Sequence, residues 1–378
     1  MKKTLLAMGV LGAFSSLAFA ASNVTLYGVI EEGVVVGKAS HHDTTVQLQS
    51  GFDQGSRWGI KGVEELGNGY AVGFILEQGF NADDGAVGAS SNGTTSGFTR
   101  EAFMYVNGGF GKFGFGRTGA LSFAQSNAIL TGWAFGTGFG VGSWQALGYN
   151  FGRINNVISY ATPTFGGFSV HAMYSNGQSS DTAKWADNNH YYGIGVKYQA
   201  NAIKSSLIFE AGDNKGVKYE KYSDFFSEYA LSRMGIDEDA KLADARQAKT
   251  QYVINYGLEY QVGIFTPMFG YQYAWQSEGS KNHMFALSTK VELGGGTAMF
   301  GARYLLGKTE NNLIKDAVGS DKQRAWNINA GYIYPLSKRT VVKAFAGYTD
   351  GSKAYGSEWQ DNTNKNGYQV YLGMRHSF

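Results

Sequence analysis

Residues 56–77 read SRWGIKGVEELGNGYAVGFILE. Before the turn, Trp58 and Ile60 fall on one side, with Arg57, Gly59 and Lys61 on the other. After Leu66, Gly67, Asn68 and Gly69 the chain resumes with Tyr70, Val72, Phe74 and Leu76 on one face and Ala71, Gly73, Ile75 and Glu77 on the other. A period of two is the mark of a strand, and Asn-Gly between two such runs is the strongest short hairpin signal. The stretch therefore predicts an antiparallel pair with one apolar, aromatic face and one face of small and charged residues.

The same pattern repeats outward from this hairpin. Residues 23–38 alternate Leu26, Gly28 and Ile30 against Tyr27, Val29 and Glu31. Short turns are expected at 67–69, 108–111, 163–167, 199–202, 261–264, 294–296 and 336–339, and long polar connections near 38–55, 81–97, 118–152, 176–190, 212–249, 276–282, 307–323 and 350–366. Seven short turns join fourteen strands, and the first and last strands bring the number to sixteen. Strands of about ten residues in even number, with short turns at one end and long loops at the other, predict a closed antiparallel transmembrane β-barrel of the outer-membrane type. Closure is what lets a sheet cross lipid, because it leaves no unpaired edge, and sixteen strands enclose a water-filled lumen.

Composition and address agree with this. Lys2 and Lys3, an apolar run over 5–19 and the close Ala18-Phe19-Ala20 have the three parts of a secretory signal, so residues 1–20 are expected to be removed and 21–378 to form one domain. A retained membrane helix is the competing reading, and Gly9, Gly12, Ser15 and Ser16 interrupt it. Loss of Lys2 and Lys3 takes the formal net charge from +2 to zero, which argues against nucleic acid as a partner. With no cysteine, an exported chain must rely on hydrogen bonding and packing; 54 Gly, 24 Tyr and 25 Phe against 3 Pro point to β structure.

Between Arg117 and Arg153 there is no Asp, Glu, Lys, Arg or His. Glycine and aromatic residues fill the gap, including Trp133, Phe139, Trp144, Tyr149 and Phe151. A solvated loop of this length normally carries charge and a helix does not tolerate so much glycine, so this segment is expected to pack inside the barrel.

Residues 24–28 (VTLYG), 56–67 (SRWGIKGVEELG), 153–168 (RINNVISYATPTFGGF), 334–340 (YPLSKRT) and 373–378 (GMRHSF) resemble the general porins of Gram-negative bacteria, in the branch found in beta-proteobacteria and Neisseria. The resemblance spans the mature chain. It implies an outer-membrane channel for passive diffusion of small hydrophilic solutes and ions, set among outer-membrane lipid and lipopolysaccharide. It also implies a homotrimer, a third loop (118–152) folded inward as the constriction, and a second loop (81–97) latching onto a neighbour. Enteric porins carry acids and a Pro-Glu-Phe-Gly-Gly motif in the constriction loop, and this loop has neither. The last strand sets Tyr368, Val370, Leu372, Met374 and Phe378 on one face, which resembles the signal read by the outer-membrane assembly machinery; His376 interrupts that face.

Arg57, Arg100 and Arg153 stand at similar intervals before the short turns that follow them, at Gly67, Gly109 and Pro163. Residues equally far from such turns lie at similar heights, allowing for barrel shear. Parity sets Arg57 opposite Trp58 and Ile60, and Arg153 opposite Ile154 and Ile158, hence towards the lumen. Arg100 shares no face with Glu101 and Phe103. The resemblance implies that the three arginines form a basic ladder in the pore, with Lys61 and Arg303 as further lumen cations and Glu77 and Glu259 as opposing charges. Phe378 is the assembly residue. The competing reading places the arginines at the membrane rim against headgroups.

The remaining motifs carry less. Residues 109–114, GFGKFG, match a dinucleotide fingerprint but lack its strand-then-helix context. Residues 307–309, GKT, resemble the end of a phosphate loop with Ala302 where its first glycine belongs. His41, His42 and Asp43 are adjacent in a polar loop and read as solvated rather than as metal ligands. In 212–249, Asp224, Phe226, Tyr229 and Ala230 have helical spacing, Gly235 stops that helix, and Asp237 opens an expected second helix to Ala248. No catalytic constellation and no cofactor motif can be placed. An outer-membrane enzyme, or an adhesin displaying its loops, remain the rival classes.

Overall fold

A computed structural model describes residues 23–39, 42–87, 97–123, 147–215, 218–226, 228–352 and 366–378. Its main sheet is a closed antiparallel barrel of sixteen strands. In chain order the strands are β1 Asn23–Ala39, β2 Thr45–Ser50, β3 Arg57–Gly67, β4 Tyr70–Gly79, β5 Glu101–Gly108, β6 Gly111–Gly119, β7 Arg153–Ala161, β8 Phe168–Ser175, β9 Tyr191–Ala200 and β10 Ile203–Gly212. They continue as β11 Lys218–Lys221, β12 Lys241–Gln247, β13 Gln251–Tyr260, β14 Phe265–Gln276, β15 Ser280–Leu293, β16 Gly296–Thr309, β17 Lys322–Pro335, β18 Thr340–Gly351 and β19 Gly367–Ser377. Strands β2 and β3 share one place in the wall, because β1 pairs with β3 along Asn23–Val29 and with β2 along Glu32–Gly37. Strands β11 and β12 form a separate two-stranded ribbon above the wall.

Each of the seven short turns falls between strands that pair with each other, starting with the hairpin of β3 and β4, where Gly67, Asn68 and Gly69 all take positive φ. The barrel closes between β1 and β19, from Val29 opposite Ser377 to Ala39 opposite Gly367. Apolar side chains left exposed mark the outer face: Leu26, Ile30 and Val34 on β1, Ile328 on β17, and Val370, Leu372 and Met374 on β19. The alternate positions hold polar and charged groups, which is the pattern of a lipid-facing wall around a polar interior.

Three expectations are corrected. Residues 38–55 are not one loop: Thr45–Ser50 is a strand, and 51–56 then turns inward, with Phe52 stacked on Tyr371 at 4.3 Å between ring centroids. The connection at 276–282 is only three residues, because β14 runs to Gln276 and β15 begins at Ser280. In 212–249 the first helix exists, as Glu228–Met234 closed by Gly235 at φ 68°. The second does not, since Lys241–Gln247 pairs with β11; ribbon hydrogen bonds prevail there over a weak cap. Phe226 and Leu231 of this loop pack on Ile314 of the helix Asn312–Val318. Two loops thus share one apolar cluster.

Candidate functional site in the barrel interior

Glu77, on the inner face of β4, collects the basic residues. Its Oε1 lies 2.7 Å from Arg100 Nε and its Oε2 3.4 Å from Arg57 Nε, and Oε2 accepts a hydrogen bond from Tyr27 at 3.0 Å. Glu77 is fully buried and lies in register with Glu101 on β5, also fully buried. Arg57 has the inward place its parity predicts; its Nη1 donates to Gly55 O at 2.9 Å and its Nη2 to Gln54 Oε1 at 3.4 Å. The inward turn at 51–56 therefore supplies the acceptors that orient Arg57.

Arg100 arrives by another route. Glu101 and Phe103 occupy the inner face of β5, so a continued strand would turn Arg100 outward with Ala102. The chain bends before β5 instead, with Phe98 at φ 60°, and Arg100 N donates to Glu77 O at 3.0 Å. Gly55 leaves room for the guanidinium, since a Cβ there would stand 2.9 Å from Arg100 Nη1.

For Arg153 the parity argument fails. Asn156 takes φ 55°, and the pairing of β6 with β7 shifts between Val157 and Ile154, so Ile154 and Val157 join one buried cluster while Ile158 is exposed. A bulge of this kind places one extra residue in a strand and resets its alternation. Arg153 is nevertheless held beside Arg100, donating from Nε to Arg100 O at 2.9 Å with its guanidinium 4.9 Å over the Phe123 ring.

Arg117 belongs to the same cluster: its Nε donates to Thr99 O at 2.8 Å and its Nη1 to Asn155 Oδ1. In sequence it reads only as the boundary of the charge-free stretch; a cation at the position that continues the alternation of Phe113 and Phe115 is the signal that marks it. A cavity of about 360 Å³ opens among Arg100, Arg117, Arg153, Thr99, Asn81 and Phe123. Four guanidinium groups against Glu77 and Glu101 leave a local surplus of two positive charges.

The other expected residues stand apart. Lys61 lies two residues along β3 from the Gly59 level, with its Nζ 5.0 Å over the Tyr27 ring. Glu259 is paired with Lys204 at 2.8 Å and so opposes none of the arginines. Arg303 is buried on β16, in register with Ala286 and Asn327. Sequence reading also passes over Lys112, whose Nζ sits 4.0 Å over the Tyr105 ring, and Lys343 on β18, fully buried between Glu31 at 2.5 Å and Asp53 at 2.6 Å.

The described ends of the charge-free segment are held on the inner wall. At its start, Ser122 N donates to Glu210 Oε1 at 3.2 Å, Leu121 N to Tyr191 OH at 3.2 Å, and Tyr191 OH to Glu210 Oε1 at 2.6 Å. At its end, Gln272 bonds both backbone groups of Tyr149, and Leu147 packs among Met284, Ala286, Leu305 and Ala325. Asn255 links the two anchors, donating to Glu210 Oε2 at 3.3 Å and accepting from Gln272 Nε2 at 2.7 Å. Residues 124–146 lie outside the described set.

At the closing seam, Gly28 and Phe378 exchange two backbone hydrogen bonds of 3.0 Å. The Phe378 ring lies over Gly28, where a Cβ would come within 2.2 Å of it, and stays partly exposed on the outer face. His376 bonds Thr340 Oγ1 at 2.9 Å. Among the described residues no group of three His, Cys, Asp or Glu side chains is placed to hold a metal, and His41 is not in that set.

Among solved structures, the anion-selective porin from Comamonas acidovorans aligns with a TM-score of 0.66 at 22% identity, covering 94% of this chain and 100% of that one. OmpT of Vibrio cholerae aligns with a TM-score of 0.65 at 13% identity, covering 96% and 99%. In sequence, an outer membrane porin protein of Bordetella pertussis is 28% identical over 92% of this chain and 94% of its own length. Outer membrane porin protein 32 of Delftia acidovorans is 27% identical over 100% of both. The major outer membrane protein P.IB of Neisseria gonorrhoeae is 29% identical over 73% of this chain and 83% of its own. A family model described as Gram-negative porin matches residues 6–354, and with a closed sixteen-stranded barrel of polar interior the chain belongs to that family, an outer-membrane channel.

Proposed function

We propose that this channel passes small hydrophilic solutes and ions by passive diffusion with a weak preference for anions, and that Arg57, Arg100, Arg153 and the newly found Arg117 set that preference. The observation that carries the reading is the surplus of guanidinium groups around Glu77 and Glu101, in a chain whose stretch 118–152 contains no acid. In a protein-walled gap two charges at 4 Å interact by about 4 kcal/mol, against about 1 kcal/mol in bulk water. A surplus of two charges therefore raises the local anion concentration. Because Glu77 sits between Arg57 and Arg100, the preference is smaller than three unopposed arginines would produce.

Lys61 and Arg303 extend the proposed pore lining, and Glu77 tempers it. The anion-selective porin named above supports the same direction. We further propose export by residues 1–20, homotrimer assembly, and recognition of the Phe378 terminus by the assembly machinery. The test is the reversal potential of the purified protein in planar bilayers under a potassium chloride gradient. A sign showing cation preference overturns the reading, and absence of stepwise conductance overturns the channel itself.

A further inference from the structure

At the long-loop end, the connections 212–249 and 310–321 leave the wall between β10 and β13 and between β16 and β17. Four of the sixteen strand spacings separate the two exits, or about 19 Å along the rim at about 4.8 Å per strand. Each connection stands on a narrow neck. In the first, Asn214 Nδ2 donates to Lys249 O at 2.8 Å and Thr250 Oγ1 to Asp213 Oδ1 at 3.2 Å. In the second, Thr309 N donates to Asp321 O at 2.8 Å. The tip of the β14–β15 hairpin is bonded to both, with Gln276 Nε2 donating to Lys249 O at 2.7 Å and Glu310 N to Gly279 O at 2.7 Å.

Beyond the necks the two connections close on each other. Asp224 Oδ2 accepts from Glu220 N at 2.7 Å and from Lys221 N at 2.9 Å, which turns the chain after β11 into Phe226 and the helix Glu228–Met234. Asn311 Oδ1 accepts from Leu313 N at 3.0 Å and starts the helix Asn312–Val318, which Gly319 ends at φ 70°. Phe226, Leu231 and Ile314 are buried in one cluster, at 4%, 1% and 8% exposure, with Leu313, Met234 and Val318 packed around them. An apolar contact between loops that otherwise carry charge is held by exclusion of water, and a charge inserted into it releases it. The bridge so formed follows a chord, and a chord between two points of a closed wall runs inside the rim. Tyr219 of the ribbon also comes within electrostatic reach of Tyr149, which Gln272 bonds to the inner wall.

We propose that these two connections form a latched lid over the part of the pore mouth they span, closed by Phe226 and Leu231 on Ile314 and hinged at the two necks, and that its opening sets the size limit for solutes entering from that end. A hinge is a few residues that absorb the movement while the bodies they join stay packed, and the necks stand in that place between the cluster and the wall. Small solutes pass beside the closed lid; larger ones enter only while it is open. The lid rests on the channel itself and is independent of the ion preference proposed above.

The experiment is liposome swelling by the folded chain with a neutral series running from a monosaccharide to a tetrasaccharide. Losing the burial of one leucine favours the open state by about 10-fold or more, so L231D is expected to admit the trisaccharide about 10-fold faster than the parent protein, with the monosaccharide rate unchanged. The chain has no cysteine, so L231C/I314C carries two thiols and no others, and a bifunctional methanethiosulfonate reagent bridges them reversibly. Bridging is expected to abolish trisaccharide entry, spare the monosaccharide, and be reversed by reductant. Because bridged and reduced states are the same folded protein, this comparison holds even if L231D fails to fold. Failure of the pair to bridge in a barrel that keeps its heat-modifiable migration overturns the latch. Bridging that leaves trisaccharide entry unchanged overturns the lid. A reversal potential that moves on bridging while the size limit stays fixed assigns the contact to ion preference and overturns the lid as well.

Discussion

Gln272 meets the backbone of Tyr149 twice, its Oε1 accepting from Tyr149 N at 2.7 Å and its Nε2 donating to Tyr149 O at 2.8 Å. A side chain on β14 thus replaces the strand partner that a segment leaving the sheet has lost. Gln272→Leu would strand both backbone groups inside the barrel, at about 1–3 kcal/mol for each unpaired group. The expected outcome is a noisier single-channel trace with raised mean conductance and an unchanged barrel melting temperature. A trace indistinguishable from the parent protein would show that the segment is held by its other contacts alone.

Removing the acid between the arginines has a predicted sign. Glu77→Gln takes away the charge that Arg57 and Arg100 share, so anion preference should rise. Replacing Arg57, Arg100 and Arg153 together by Gln should carry the reversal potential to zero or past it towards cations. Both shifts should shrink with salt, as the Debye length falls from about 10 Å at 0.1 M to about 3 Å at 1 M. Opposite movement in Glu77→Gln would refute the assignment.

Lys343 bonds Glu31 and Asp53 where all three are buried, and with Phe52 it holds the inward turn that presents Gln54 and Gly55 to Arg57. Lys343→Met leaves Glu31 without its cation and Asp53 with only Arg375, at 3.9 Å, a change that costs about 3–5 kcal/mol for a buried pair. A lower unfolding temperature is expected together with a smaller anion preference. Adding Glu31→Gln and Asp53→Asn should restore the temperature. If temperature drops while selectivity is untouched, the turn does not position Arg57.

Deleting Phe378 removes a ring from the outer face and the two backbone bonds to Gly28. Seam pairing from Val29 to Ala39 is independent of that residue, so refolding in detergent should proceed while the amount in outer-membrane fractions falls. Normal outer-membrane levels at high expression would argue against an assembly role.

The sequence by itself determined the wall. Alternation is local, visible in any eight residues such as 70–77, and Asn68-Gly69 marks its turn; once strands of that length repeat with short turns at one end, closure follows because open edges are not tolerated in lipid. Only the tertiary structure decided what meets across the lumen and which positions the alternation fails to predict. Lys343 and Glu31 are 312 residues apart, Gln272 and Tyr149 123 apart, and their meeting depends on the shear with which the sheet closes, a global quantity that no local pattern encodes. The bulge at Asn156 and the bend before Glu101 each reset alternation by one residue, which suffices to turn Ile154 inward and bring Arg100 to Glu77.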